Sequence, residues 1–475
     1  MRRRTKIVCT LGPSSSDPGT IRELIRAGMD IARLNFSHGS HDDHARLIRY
    51  VREAADDQEK VVPILQDLQG PKIRLGQVGN GAIPISKGQR LTLTAEPIEY
   101  GTAERVQVTY DLLAKDVSVG GRILIDDGLL ELQVVDIIDS DVVTEVIVGG
   151  PLSSRKGVNL PDIKTSAPAL TAKDQRDLAF GLSQDVDMIA LSFVRDESDI
   201  IDLLQRIRAS GKDIMALAKI EKPEAVRRFD AVLEASEGIM VARGDLGIEM
   251  PISQVPSTQK MIIHKCIVAG KPVITATQML ESMISNPRPM RAEASDVANA
   301  VLDGSDAVML SGETAVGKHP VRVVEVMSRI VEEAERHRWQ YQSPLSKPVE
   351  RRFISEDVTE SVSFTAVDLA EQVGAVAIAC LTATGTTARA IARHRPGMPL
   401  HAFTDDERVM RRLHLLWGTT SFLIPFQRGT DEGVQIVHSV LREQGLVRSG
   451  DLIVITAGMP LPAKGRTNMI QVSRI

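Results

Sequence analysis

The chain has 475 residues, too many for one hydrophobic core, so two to four domains are expected. Apolar residues make up 43% and charged residues 25%, the balance of a soluble globular protein. A net charge of −5 without a large basic block argues against nucleic acid as principal partner, and no apolar run is long enough to cross a membrane.

Arg2, Arg3 and Arg4 open the chain, but a strand pattern follows at once, without the apolar region of a secretory signal. Apolar strand patterns then alternate with amphipathic helix patterns. The predicted strands are KIVCTL (6–11), DIARLN (30–35), VVPILQ (61–66), VDMIAL (186–191), IMALAK (214–219), GIMVAR (238–243), PVITAT (272–277) and DAVMLS (306–311). Most of these strands are followed by a helix-period segment, for example 17–28, 41–55, 196–210, 253–270 and 319–336. Near-continuous apolar strands alternating with helices imply a parallel sheet covered on both faces, and eight such units fit a (β/α)8 TIM barrel.

The rhythm breaks after the third strand. Residues 72–168 carry short runs such as RLTLTAE, ERVQVTY, GRILIDDG, LLELQVVDIID and VVTEVIVGG, punctuated by glycine. These predict a small antiparallel β domain, a β-barrel lid inserted over the barrel mouth. The barrel is therefore expected in two parts, 1–71 and 169–340. YQSPLSKPVERR reads as a linker, and 341–475 as a C-terminal α/β unit with a helix near 355–372 and strands AVAIACL (375–381), PLHAF (399–403) and DLIVITA (451–457). Cys9, Cys266 and Cys380 are isolated, odd in number and lack metal-ligand spacing, as buried thiols of a reducing cytoplasm would.

In such a barrel the residues that end each strand face one another. Lys219-Ile220-Glu221 closes one strand and Arg243-Gly244-Asp245-Leu246-Gly247 the next. Two hard oxygen ligands on neighbouring strand ends, with an ammonium beside them, suit a divalent cation gripping a phosphorylated substrate. Separately, each motif also fits a surface ion pair and a glycine turn. The other strand ends deliver Arg33, Asn35, Ser37 and His38, then Asp67 through Arg74, Ser192, Thr277, Glu281, Ser311 and Glu313. Three cations (Arg33, Arg74, Lys219) and two metal-binding anions are an inventory for phosphoryl transfer. There is no Walker A, kinase Gly-rich or Rossmann loop, and His38 reads as a structural or hydrogen-bonding residue. In the C-terminal unit, Thr384-Gly385-Thr386-Thr387 joins a strand to a helix, either as a phosphate pocket or as an ordinary capping turn.

KIVCTLGPSS, ARLNFSHGSH, LQDLQGPKIR, RKGVNLP, KIEKPEAV, IMVARGDLG, TATQMLESM and MLSGETAVGKHP resemble the signatures of the pyruvate kinase family, in that family's order and through nearly the whole chain. The resemblance implies phosphoryl transfer from phosphoenolpyruvate to ADP, followed by protonation of the enolate. It implies Glu221 and Asp245 as Mg2+ or Mn2+ ligands, and Lys219 as the cation beside the phosphoryl group in flight. Arg33 and Arg74 are similar to the arginines on the phosphate; Arg243, Gly244, Asp245 and Thr277 to the substrate cradle; and Thr277 and Ser311 to the hydroxyls of a proton relay, the immediate proton donor being left open between a lysine and a hydroxyl–water chain. Pro13, Asn35, His38, Arg74 and Lys156 correspond to the nucleotide site. Asn35, Ser37, Asp67 and Leu68 occupy the monovalent-ion position. Leu68, Gln69 and Lys72 depart from the potassium-dependent pattern and resemble the potassium-independent branch, in which K+ is not required and the Lys72 ammonium replaces it. Asp43 stands where animal members often carry a tyrosine near the nucleotide, and the missing amino-terminal extension suggests a prokaryotic-type enzyme. Thr382, Thr384, Gly385, Thr386 and Thr387 resemble an effector phosphate loop and PLPAKGRTN (460–468) an effector loop. A sugar monophosphate or AMP is the favoured activator, fructose 1,6-bisphosphate the second, and a cytoplasmic homotetramer the expected assembly. A magnesium-dependent aldolase or phosphonomutase-like barrel shares the metal logic but leaves Lys72 and Arg74 at the root of the lid unexplained. A catalytically dead sensor would have lost Lys219, Glu221 or Asp245.

Overall fold

The protein is described by a computed structural model covering residues 3–79, 81–161, 163, 165–341, 357–425, 429–459 and 467–475. The sequence-predicted linker after residue 341 lies outside the described residues, as does the PLPAKGRTN loop apart from Thr467 and Asn468.

Eight parallel strands close into a barrel: Lys6–Leu11, Ile31–Asn35, Ile64–Asp67, Met188–Leu191, Met215–Ile220, Gly238–Ala242, Val273–Ala276 and Ala307–Leu310. Closure is made by the first strand, which pairs Lys6 with Ala307 on one side and Val8 with Ile31 on the other. The strands read as continuously apolar because both of their faces are buried. Ile7, Cys9 and Leu11 face the helical shell, whereas Val8 joins Ile31, Leu65, Met188, Ala190, Met215, Leu217, Met240, Ile274, Ala307 and Met309 in the barrel interior. Leu415, from the C-terminal unit, belongs to that interior cluster and is fully buried. All three cysteines are buried free thiols.

Alternation along each strand also fixes what stands above the apolar interior. Met215 and Leu217 point inward, so Lys219 and then Glu221 continue the same row; Ile31 predicts Arg33, Leu65 predicts Asp67, Met188 and Ala190 predict Ser192, and Val8 predicts Thr10. A polar layer thus caps the carboxyl ends of the strands.

Helices Pro18–Ala27, His41–Asp56, Glu197–Ala209, Val255–Ala269 and Pro320–Tyr341 lie where periodicity places them. Ala172–Ser183, the pair Pro223–Arg227 and Phe229–Ala235, and Arg291–Asp303 complete the shell. Between the third and fourth barrel strands a six-stranded sheet and a two-stranded ribbon enclose one apolar core containing Leu91, Leu93, Ile123, Leu132, Val142 and Val146. Among the described residues the named strands of this lid pair antiparallel except Arg90–Thr94 with Arg105–Gln107, which run parallel, and an isolated parallel bridge joins Val78 to Gly101. Its two stalks are stitched together by Leu75 N–H to the Lys156 carbonyl (2.9 Å) and Val158 N–H to the Ile73 carbonyl (3.0 Å). The C-terminal unit is a five-stranded sheet in which Ala377–Leu381 is central and Met469–Arg474 forms an antiparallel edge. Among the described residues no helix is long and apolar enough to cross a membrane.

The C-terminal unit is bolted to the amino-terminal floor of the barrel. Arg395 donates to both carboxylate oxygens of Asp306 (2.7 and 3.1 Å), which also accepts from Trp417 N–H (3.0 Å). Arg4 and Arg395 each stack on the Trp417 ring, 5.2 Å from its centroid.

Candidate active site

The polar layer converges on Lys219. Its Nζ donates to Ser192 Oγ (2.6 Å) and lies 3.1 Å from Asp67 Oδ1 and 3.0 Å from Glu221 Oε1. Burial works against the charge, but Asp67 and Glu221 outweigh it and raise the lysine pKa, so the ammonium is firmly held. Asp67 is bracketed from the other side by Arg33, whose Nε donates at 2.7 Å and whose Nη2 lies at 2.6 Å; Arg33 Nη1 donates to Thr10 Oγ1 (2.8 Å). Despite burial, Lys219 and Arg33 keep the Asp67 carboxyl below its ordinary pKa.

Glu221 Oε2 accepts from Phe193 N–H (2.7 Å), an amide turned toward it by a left-handed backbone at Phe193 (φ 55°). Burial raises the Glu221 pKa, and the nearby Asp245 carboxylate adds to the rise against the pull of Lys219. Asp245 sits in the first turn of the short helix Arg243–Glu249. Two carboxylates that repel one another beside a buried cation are the donor set a hard divalent ion would relieve. Among the described residues no group of three or more His, Cys, Asp or Glu side chains is arranged to hold a metal ion.

The seventh strand ends in consecutive left-handed residues, Thr277 (φ 67°) and Gln278 (φ 54°). For a β-branched threonine this conformation is strained, and such strain persists where the surroundings enforce it. Here Gly244 N–H donates to Thr277 Oγ1 (2.8 Å), and Arg243 Nη2 donates to the Thr277 carbonyl (2.7 Å) while its Nη1 binds Asp296 (2.7 Å). A Cβ at position 244 would stand 3.3 Å from Thr277 Oγ1, so glycine keeps the two loops in contact. Thr277 Oγ1 itself donates to the Ala276 carbonyl (2.7 Å). Ser311 Oγ is buried without a hydrogen-bond partner among the described residues, and its N–H donates to Glu313 Oε2 (2.6 Å).

A second patch surrounds His38. Partial burial and then Arg74, Lys72, Arg33 and Lys173 depress its pKa, so these four cations converge on the space beside it. Arg74 Nη1 donates to the Arg155 carbonyl (3.1 Å), and Lys156 pairs with Asp126 (2.9 Å) across the lid. Pro13 is exposed in a short 3-10 turn. Asn35 Oδ1 accepts from Ser37 N–H (3.1 Å), and the Leu68 carbonyl accepts from Ser192 Oγ (2.6 Å). Asp43 closes a capping box with Ser40 at the head of His41–Asp56 and pairs with Arg46 (2.7 Å). Its carboxylate serves the helix.

In the C-terminal unit Thr382 Oγ1 accepts from Gly385 N–H (2.9 Å), Thr384 and Thr386 hydroxyls lie 3.0 Å apart on the surface, and Thr387 bonds Thr467 (2.6 Å) in the interior. The threonines therefore divide: Thr384 and Thr386 face outward, whereas Thr382 and Thr387 hold the loop.

Two family models match this chain: a pyruvate kinase barrel domain over residues 2–324 and a pyruvate kinase alpha/beta domain over residues 360–473. The chain belongs to the pyruvate kinase family. Pyruvate kinase of Corynebacterium glutamicum is 48% identical over 99% of this chain and 98% of that protein. The pyruvate kinases of Geobacillus stearothermophilus (46%, 99% of this chain, 80% of that protein) and Mycobacterium tuberculosis (45%, 100% and 99%) are similarly close. The crystal structure of a pyruvate kinase from Cryptosporidium parvum superposes with a TM-score of 0.91 at 40% identity, covering 99% of this chain and 96% of that one. As a pyruvate kinase the protein is a phosphotransferase with phosphoenolpyruvate and ADP as substrates, and the family implies a divalent metal cofactor.

Ser192, Thr10 and Lys173 were not assigned roles by sequence reading, although Ser192 ends the fourth strand. For Ser192 and Thr10 the signal lies in the inward parity of the strands, which places both in the same polar layer as Lys219, whereas Lys173 sits on helix Ala172–Ser183.

Proposed function

We propose that this layer carries phosphoryl transfer from phosphoenolpyruvate to ADP, with Glu221 and Asp245 holding Mg2+ or Mn2+. The observation that carries the reading is the position of Lys219, a buried ammonium touching Asp67, Glu221 and Ser192 at once. Bound there, a divalent ion would supply positive charge to the substrate carboxylate and phosphate oxygens. Arg33, fixed by Asp67 and Thr10, points its charge at the phosphoryl group, and Arg74 with Lys72 supplies the lid side of the phosphate path. The Gly244–Thr277 contact shapes the cradle for the substrate carboxylate. Pro13, Asn35, His38, Arg74 and Lys156 line the path of ADP.

A lysine whose pKa is raised is a strong electrostatic clamp and a weak acid. Lys219 therefore stabilises the enolate oxygen, and the proton reaches carbon through the hydroxyls of Thr277 and Ser311 and water. The Ser311 hydroxyl has no hydrogen-bond partner among the described residues and can donate, whereas Thr277 must first leave the Ala276 carbonyl.

Potassium is not required in this reading. Asp67 already faces Arg33 and Lys219, Asn35 and the Leu68 carbonyl have internal partners, and the Lys72 ammonium stands near the phosphate path. The same reading divides the chain into barrel (1–71 and 169–340), lid (72–168) and regulatory unit (341–475). It places a phosphorylated activator, a sugar monophosphate or AMP, on Thr384 and Thr386 with Thr382, Gly385 and Thr387 as scaffold, and the working form as a cytoplasmic homotetramer. The test is ADP-dependent pyruvate formation from phosphoenolpyruvate, titrated with Mg2+ and Mn2+ in parent and Glu221→Ala enzymes. Loss of metal saturation in the variant is expected; an unchanged titration removes Glu221 from the metal site.

A further inference from the structure

One buried cluster beside the site has no part in the scheme above. Lys222 Nζ donates to Glu249 Oε1 (2.7 Å), and Asn159 Nδ2 donates to the same oxygen (2.9 Å). Glu249 and Lys222 are 4% and 9% exposed, and the second Glu249 oxygen is buried with no partner among the described residues. The three residues come from three different segments, two in the barrel and one in the lid stalk. Lys222 follows Glu221 directly at the tip of the fifth barrel strand. Glu249 lies one helical turn beyond Asp245 on the helix Arg243–Glu249, so the two share a face. Asn159 belongs to the lid stalk, one residue past Val158, which is hydrogen-bonded to the stalk segment carrying Lys72 and Arg74. All three line the cleft between lid and barrel, together with Asp245, Lys72 and Phe193.

A buried ion pair contributes little net stability once desolvation is counted, and an unsatisfied buried carboxylate oxygen adds to the cost. Apolar packing would hold these segments together as well. What apolar packing would not provide is a directional tie between the two segments that bear the metal carboxylates. We propose that Lys222, Glu249 and Asn159 are positioning residues that couple the seat of the lid to the spacing of Glu221 and Asp245. When the lid is seated, Asn159 holds Glu249, Glu249 holds Lys222, and the two segments that bear the carboxylates are fixed relative to one another. When the lid lifts, Glu249 loses a partner and the pair relaxes. Substrate phosphate reaching Arg74 and Lys72 on the lid stalk therefore tightens metal binding. By linkage, the metal must also quiet the lid.

This inference rests on the assignment of Glu221 and Asp245 as metal ligands, and its test separates the two. Full-length enzyme without substrate is titrated with Mn2+, followed by electron paramagnetic resonance, for the parent, Asn159→Ala, Glu249→Gln, Glu221→Ala and Asp245→Ala proteins. Hydrogen exchange of residues 157–161 is measured with and without Mn2+. Glu249→Gln is expected to bind Mn2+ about tenfold more weakly, the usual scale for a partner standing behind a metal ligand. Asn159→Ala, on a half-buried lid strand where folding is spared, is expected to weaken Mn2+ by a smaller factor of about three. In the parent, Mn2+ slows exchange of the stalk; in Asn159→Ala it does not. If Glu221→Ala and Asp245→Ala lose Mn2+ while Asn159→Ala keeps full affinity and full protection of the stalk, the coupling is wrong and the metal site stands. If Glu221→Ala and Asp245→Ala bind Mn2+ as the parent does, the metal assignment fails and the coupling falls with it.

Discussion

Replacing Lys219 with methionine keeps most of the side-chain volume and removes one buried charge. Three contacts disappear, to Ser192 Oγ at 2.6 Å, Glu221 Oε1 at 3.0 Å and Asp67 Oδ1 at 3.1 Å. Asp67 retains Arg33, and Glu221 retains the Phe193 amide. The fold should therefore survive with a loss below the roughly 3–5 kcal/mol typical of a buried charge left wholly unpaired. The catalytic loss is larger. Removing a neutral oxyanion donor costs about 10²–10³ in turnover, and removing a full positive charge from a transferring phosphoryl group about 10³–10⁵. A fall in kcat of about 10³–10⁵, or roughly 4–7 kcal/mol of transition-state stabilisation, is expected. KM for phosphoenolpyruvate should shift by less than about tenfold, because Arg33 and the metal carboxylates still bind the ground state. The assay is pyruvate formation coupled to lactate dehydrogenase, with Mn2+ binding as a control on the integrity of the site. Turnover within about tenfold of the parent enzyme would refute an electrostatic role for Lys219.

Three further outcomes follow from the same geometry. Parent enzyme should be equally active in sodium-only and potassium-only buffers, whereas Lys72→Glu should acquire activation by K+; strong potassium activation of the parent overturns the substitution of Lys72 for the ion. Thr384→Ala combined with Thr386→Ala should abolish activation by sugar monophosphates or AMP while leaving maximal turnover within about twofold, since both hydroxyls are on the surface, bonded to one another (3.0 Å) and, through Thr386, to Arg389 Nη2 (3.3 Å). Lost turnover at saturating substrate would instead make the loop structural. His414 sits buried between Lys6, Arg3 and Asp30 at the seam of barrel and C-terminal unit, and burial followed by the Lys6 charge pushes its pKa down to about 3. Its folded pKa lies below the unfolded value, so the stability it confers is complete above about pH 6.5 and is lost as pH falls toward 3. Urea unfolding between pH 4 and 8 should therefore show a steeper acid loss in the parent than in His414→Gln, by an amount on the order of a few kcal/mol; identical slopes would place the acid sensitivity elsewhere.

The barrel was legible because a parallel strand buried on both faces is apolar at every position, and eight such runs stand out from their flanks. Helix Ala172–Ser183 is harder to read from periodicity because it carries polar residues on its buried side. Asp174 and Asp177 are both buried on Ala172–Ser183, which breaks the apolar period. They are buried for a purpose: Asp174 accepts from Gly70 N–H at 3.1 Å, and Asp177 holds His41 and Lys173 at 2.8 and 2.6 Å. Polar ties between this helix, the segment after the third barrel strand and helix His41–Asp56 thus interrupt the apolar pattern that would announce the helix. Pro223–Arg227 and Phe229–Ala235 are each too short to show a period.

The site divides in the same way. Lys219, Glu221, Arg33 and Asp67 were readable because strand parity and strand ends are local properties. The left-handed turn at Thr277 and Gln278 was not, because no intrinsic preference of threonine or glutamine selects it; contacts from Arg243 and Gly244 on the neighbouring strand end impose it. Asn159 and Glu249 stand 90 residues apart, one in the lid and one in the barrel. Their individual sequence contexts, RKGVNLP and GDLGIEM, carry no sign that one amide and one carboxylate meet. A tie of that kind exists only once the lid is seated, and its consequence, a metal affinity that follows lid position, belongs to the assembled chain alone.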